Sequence, residues 1–125
     1  MSQVKSMIKK CDTLFSECIR LRDKNKECIT CNKPFRGIWG FITCGHFQKR
    51  ARLSTRWNFD NAYGQCYECV GKDDQALFTR KLIDLIGEEK VAEIIKLSRA
   101  EVHLSYSDLK EIYKALNEYK QKIKQ

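Results

Sequence analysis

The chain has 125 residues, with 24 Lys and Arg against 16 Asp and Glu and a net charge of +8. That length suits one domain with short extensions, and no apolar run is long enough to span a bilayer. The charge balance directs attention to a polyanionic partner, in the first place nucleic acid.

From Gln3 to Lys24, the residues Met7, Cys11, Leu14, Cys18 and Leu21 recur by fours and threes, which predicts a helix with a heptad-like seam. Cys11 and Cys18 lie on that seam, where a free cysteine behaves as a small hydrophobe. Asp23-Lys24-Asn25-Lys26 breaks the pattern and leads to the pair Cys28-Ile29-Thr30-Cys31. A second pair, Cys66-Tyr67-Glu68-Cys69, follows after 34 intervening residues. A two-residue gap lets both sulfurs of a pair turn onto one metal, and two such knuckles complete the tetrahedral thiolate set of a structural zinc. Disulfides are the competing reading. The odd cysteine count and the lack of a secretory leader favour reduced thiols, as expected in the cytoplasm of a host cell. Cys44 is either a site residue beside His46 or core filler.

Between Cys28 and Phe59 there is no Asp or Glu, whereas Lys33, Arg36, Lys49, Arg50, Arg52 and Arg56 supply six cations. This stretch is the expected DNA-binding surface, with Lys49, Arg50, Arg52 and Arg56 clustered within it. Trp39, Phe41, Phe47 and Trp57 interleave with the cations; each is expected in the core, with base stacking as the alternative. Ile38 to Thr43 carries aromatic and β-branched residues, so a short hairpin ending near His46 is predicted, followed by an ordered loop over Gln48–Tyr63. After Cys69 the chain reads as helix, with Leu77, Phe78, Leu82, Leu85 and Ile86 on one face and Gly87 as its C-terminal stop. A short helix over Glu88–Leu97 and a last one capped by Ser105 or Ser107 complete the pattern; Leu109, Ile112, Leu116, Tyr119 and Ile123 form its seam. The two terminal seams either pack on each other or form a dimer interface, and a homodimer is the expected state. His103, in a linker without ligand spacing, reads as a surface or packing residue.

The expected fold is α+β: an N-terminal helix over residues 1–26, a small zinc-braced ββα module over 27–87 and a helical extension over 88–125. In that module His46, at a predicted strand end amid cations, is placed to deprotonate water near neutral pH. Asn61, five residues before Cys66, is placed to tie the loop beneath the strand and orient the imidazole.

The order of these elements resembles the NinG, or Rap, family of phage recombination nucleases, which belongs to the His-Asn-His (ββα-metal) group. The resemblance runs from about Leu21 to the C-terminus. It is carried by both knuckles, Gly45-His46-Phe47, Arg56-Trp57-Asn58 with Asn61, Leu82-Ile83-Asp84-Leu85-Ile86-Gly87 and the Tyr119-Lys120-Gln121-Lys122 tail. It implies a DNA endonuclease encoded by a phage or prophage, acting on branched DNA such as Holliday junctions or D-loops. His46 and Asn61 would be its catalytic pair and Mg²⁺ or Mn²⁺ its catalytic ion. This chain departs from the family at Val70, where the family has an Asn whose side chain would bind the metal, and at Tyr63, where it often has His. Gly45 stands where other members of the group often carry Asp. Asp73 and Asp74, one helical turn beyond Val70, are the substitute ligands or else simple caps. Two other classes compete with the enzyme: a branched-DNA-binding protein that cuts weakly or not at all, and a zinc-stabilised protein-interaction module.

Overall fold

The computed structural model describes residues 2–124. Helix α1 (Gln3–Asp23) is capped by Ser2, whose hydroxyl accepts from Lys5 N–H at 3.1 Å. Strand β1 (Ile42–His46) follows a single 3₁₀ turn at Trp39–Phe41. A short helix α2 (Leu53–Arg56) and a second 3₁₀ turn at Phe59–Asn61 lead into strand β2 (Ala62–Cys66). Helices α3 (Tyr67–Lys72), α4 (Gln75–Ile86), α5 (Glu88–Ser98) and α6 (Tyr106–Ile123) complete the chain. Ser105 forms a reciprocal capping box with Asp108 at the start of α6.

The architecture is therefore helices around a two-stranded antiparallel sheet, with β1 and β2 paired from Ile42–Cys66 to His46–Ala62. The predicted hairpin within residues 38–46 does not form. The residues ahead of Ile42 curl into the 3₁₀ turn, and the strand's partner is Ala62–Cys66, whose first residues read as loop in the sequence. Gly64 and Gln65 give β2 little intrinsic strand character. Its conformation is fixed instead by β1 and by the end of α1.

That contact is a buried ion pair. Arg22 donates to Asp23 through Nε and Nη2, at 2.7 and 2.9 Å, and also to the carbonyls of Phe59 and Ala62. Asp23 in turn accepts from Gly64 N–H at 2.8 Å. Burial opposes the Asp23 charge, but Arg22 and the Gly64 amide outweigh it and hold the carboxyl below its usual range. A side chain at Gly64 would meet Phe35 at 2.9 Å and Asp23 at 3.0 Å, so only glycine allows the helix end to approach this closely.

The sheet is packed on both sides. Ala62 and Cys44 face a cluster of Cys11, Leu14, Phe15, Ile19 and Leu116, contributed by α1 and α6. Tyr63 joins Ile29, Phe47, Phe78, Leu82, Val91 and Ile94, with α4 and α5 on that side. The terminal seams thus bury each other within one chain. Cys11 and Cys18 donate their thiols to the Leu109 and Leu116 carbonyls, at 3.5 and 3.4 Å, while burial raises both to about 11, as suits core residues. Cys44 is likewise raised to about 12 by burial, which makes it filler rather than a reactive thiol.

Leu116 is 3 % exposed at the centre of the α1–α6 contact. Leu116→Ala should lower the unfolding free energy by about 3 kcal/mol in urea titration; a loss below about 1 kcal/mol would show that α6 does not dock on α1 as described.

Candidate functional site

The four paired cysteines come together although 34 residues lie between Cys31 and Cys66. Their sulfurs all lie within 4.8 Å of one another. A tetrahedral zinc with Zn–S bonds of about 2.3 Å needs sulfurs about 3.8 Å apart, and Cys31 Sγ lies 3.8 Å from Cys66 Sγ. Burial opposes ionisation of Cys28. Hydrogen bonds from the Cys31 and Cys66 amides and the Thr30 hydroxyl outweigh it and bring this thiol well below its ordinary value. Cys69 moves the other way, raised by burial and by the neighbouring thiols, because several thiolates cannot share one small volume without a cation between them. The donor set, its spacing and its electrostatics all fit a structural zinc site. Phe35 and Ile42 pack beneath it.

The site braces the sheet. The second pair begins on the last residue of β2 and continues into α3, so strand and helix leave the clamp in ββα order. Thr30, between the first two ligands, accepts from Gln65 Nε2 at 3.2 Å.

His46 ends β1 beside α1, its ring 5.5 Å from that of Phe15. Its Nε2 lies 3.0 Å from the Arg56 carbonyl oxygen. A carbonyl only accepts, so Nε2 carries the proton and Nδ1 keeps its lone pair. Burial lowers the pKa of the ring, and the nearby Arg50 and Arg56 charges lower it further against the opposing effects of the Arg56 carbonyl and Asp12. The imidazole is therefore held neutral, with one defined tautomer.

The loop that supplies this carbonyl is itself fixed. Asn61 is fully buried and donates through Nδ2 to the carbonyls of Gln48 and Thr55, at 3.1 and 3.0 Å, while its Oδ1 accepts from Gln48 N–H at 2.8 Å. The amide ties the two ends of the loop together beneath β1. Arg56 forms a forked pair with Asp12, at 2.9 and 2.7 Å, and Trp57 donates to the same carboxylate at 3.0 Å. Gln75 at the start of α4 donates to Phe47 O at 2.8 Å.

Of the four cations expected to meet DNA, Arg56 stands apart: its side chain is 17 % exposed and engaged with Asp12. It holds the loop rather than facing solvent. Lys49, Arg50 and Arg52 are exposed, with Arg50 60 % accessible and only 3.6 Å from Asp12. Nothing in the sequence singles out Asp12, an ordinary acid on a helix far along the chain from its partners.

His46, Gly45, Gln65, Val70, Asp73, Asp74, Gln75 and Phe78 line one small cleft of about 60 Å³. Asp73 and Asp74 are not on the same helix as Val70, as the sequence suggested. The chain turns through a left-handed Asp73 at φ 48° and ends α3 at Lys72, and Asp74 caps α4 by accepting from Leu77 N–H at 3.1 Å. A side chain at Gly45 would meet Gln65 Oε1 at 2.4 Å, so the position before His46 is closed to a ligand unless Gln65 moves. Among the described residues, the cysteine set is the one group of three or more His, Cys, Asp or Glu side chains that converges as metal ligands; His46, Asp73 and Asp74 do not. The cleft thus offers a catalytic cation no three converging side-chain ligands of these types. His103 is exposed in the linker before α6.

A family model described as bacteriophage lambda NinG protein matches residues 1–125. The chain belongs to the NinG family. Membership covers the whole NinG-family chain, knuckles, sheet and terminal helices together, and implies a role in phage recombination. No curated protein and no solved structure matches it. Among the described residues, no helix is long and apolar enough to cross a membrane.

Because burial depresses the His46 pKa, the unfolded chain takes up this proton near 6.5 and the folded chain only at lower pH. The stability contributed by the neutral ring is full above that value and is lost as pH falls through the folded pKa. In NMR titration of the imidazole protons, His46 should titrate below 6.5; protonation at or above that pH would contradict the buried, Arg56-bonded placement.

Proposed function

We propose that this chain is a DNA endonuclease of phage recombination, acting on branched DNA, in which His46 activates the attacking water. One observation carries the reading: the neutral imidazole has its Nε2–H donated to Arg56 and its Nδ1 lone pair left to accept a proton. Phosphodiester hydrolysis needs such a base near neutral pH. Lys49, Arg50 and Arg52, exposed on the loop after His46, would hold the phosphate. Asn61 is a positioning residue, since its buried amide fixes the loop whose carbonyl orients the ring. The zinc clamp has no part in bond breaking; it sets the angle between strand and helix.

Mg²⁺ or Mn²⁺, the ion that the family resemblance implies for charge stabilisation, is the part these residues serve least. Val70, 39 % exposed at the cleft, offers no donor, and no convergent ligand set surrounds it. That observation favours a second reading, a branched-DNA-binding protein that cuts weakly.

Nicking of a four-way junction in added Mg²⁺ or Mn²⁺ separates the two. Cleavage should be weak and need millimolar metal, rise in Val70→Asn, and fall ~10²-fold or more in His46→Ala, with junction binding retained in both variants. Cleavage that survives His46→Ala would remove the proposed base. No cleavage by either the wild type or Val70→Asn, with tight binding intact, would establish the second reading.

A further inference from the structure

Within the acid-free window, the aromatics divide sharply. Phe47 is 2 % exposed, Trp57 is tied to Asp12, and Phe41 packs against the clamp cluster. Trp39 is different: it is 40 % exposed, and its neighbour Ile38 is 55 % exposed. Two bulky apolar side chains stand in water at one turn, on a chain with enough core elsewhere to bury them.

This turn is held firmly. Phe35 N–H donates to Lys26 O at 3.0 Å, Gly37 N–H to Lys24 O at 2.7 Å, and Ile38 N–H to Phe35 O at 3.0 Å, while the Phe35 ring is 1 % exposed. Arg36 and Gly37 are consecutive left-handed residues, at φ 54° and 74°. For arginine that conformation is unfavourable and persists because the surrounding bonds impose it. Immediately after it the chain presents Ile38 and Trp39.

The turn also carries cations. The Arg20 guanidinium lies 4.0 Å from the centre of the Trp39 ring, and its Nη2 donates to Trp39 O at 3.3 Å. Arg20 Nε is buried without a hydrogen-bond partner. Lys33 sits over Phe41, and Lys33 and Arg36 are exposed. An indole backed by a guanidinium, with exposed Lys33 and Arg36 close by in the chain, suits a flat, apolar-faced group that carries a phosphate on either side.

We propose that Trp39, backed by Arg20 and flanked by Lys33 and Arg36, is a stacking platform for an unpaired base of a DNA strand. The proposal rests on the reading of the protein as DNA-acting and adds to it the part of the substrate that is recognised. Trp39 opens the 3₁₀ turn that leads into β1, and His46 ends that strand. An unstacked base seated on Trp39 would thus fix the distance between a break in base pairing and the phosphate near His46. Fully paired duplex offers no free base face and gains nothing from the platform.

Fluorescence anisotropy with the full-length, zinc-containing protein tests this, using a short oligodeoxythymidylate and a blunt duplex as probes. Trp39→Ala should weaken oligodeoxythymidylate binding about tenfold or more, Trp39→Phe should recover most of it, and duplex affinity should stay within about twofold throughout. Equal binding of oligodeoxythymidylate by wild type and Trp39→Ala would overturn the platform while leaving DNA action intact. Equal losses on both probes would overturn it as well, assigning Trp39 to general affinity or folding. A wild type that binds neither probe would remove the platform and the DNA reading together, and a Trp39 emission shift with anionic phospholipid vesicles but not DNA would reassign the turn to a membrane.

Discussion

Four cysteine sulfurs within 4.8 Å of one another are the constraint on which this molecule depends. A two-stranded sheet is at best marginal by itself in water. Here the cysteine set gathers residues 28 and 31 against the end of β2, with Ile42 of β1 packed beneath it, so a bound zinc would hold that end of the sheet. The other end carries His46. Between them the buried Arg22–Asp23 pair seats the end of α1 on β2, and the close approach at Gly64 leaves little slack. A clamp at one end and a pinned loop at the other give the imidazole a fixed backbone. Its tautomer follows from a single carbonyl.

The loop from Gln48 to Asn61 shows how polar side chains can replace a core. Its regular structure is limited to α2 and one 3₁₀ turn, yet Asn61 satisfies backbone groups at both of its ends, and Arg56 and Trp57 converge on Asp12 from α1. Each bond is modest, about 1 kcal/mol net, rising where a charge is involved. Their number and burial make the loop one unit with α1. The helix therefore does more than cover the sheet: Phe15 backs the histidine ring and Asp12 holds the residue whose carbonyl orients it.

What the sequence revealed and what it hid divide along one physical line. Short-range chemistry was legible. The knuckle spacing names a thiolate site because two intervening residues suffice to bring two sulfurs together, and the seams at Cys11–Cys18 and Leu109–Leu116 announced two amphipathic helices without saying that they pack on each other. Asn61 was legible as a loop tie from its place before the second knuckle. Long-range pairing was hidden. The strand partner of β1 contains Gly64 and Gln65, which no strand propensity selects, and the forked pair of Asp12 and Arg56 spans 44 residues. For that reason the sequence assigned Arg56 to DNA and the structure assigns it to the loop. The break at Asp73 was hidden too, since a left-handed aspartate has no signature beyond tolerating the conformation.

If the clamp is the constraint that sets everything downstream of it, its chemistry is open to direct observation. X-ray absorption at the zinc edge of freshly purified protein should report one zinc per chain with four sulfur neighbours at about 2.3 Å. A shell containing nitrogen or oxygen donors, or protein that is folded and free of zinc, would contradict the account.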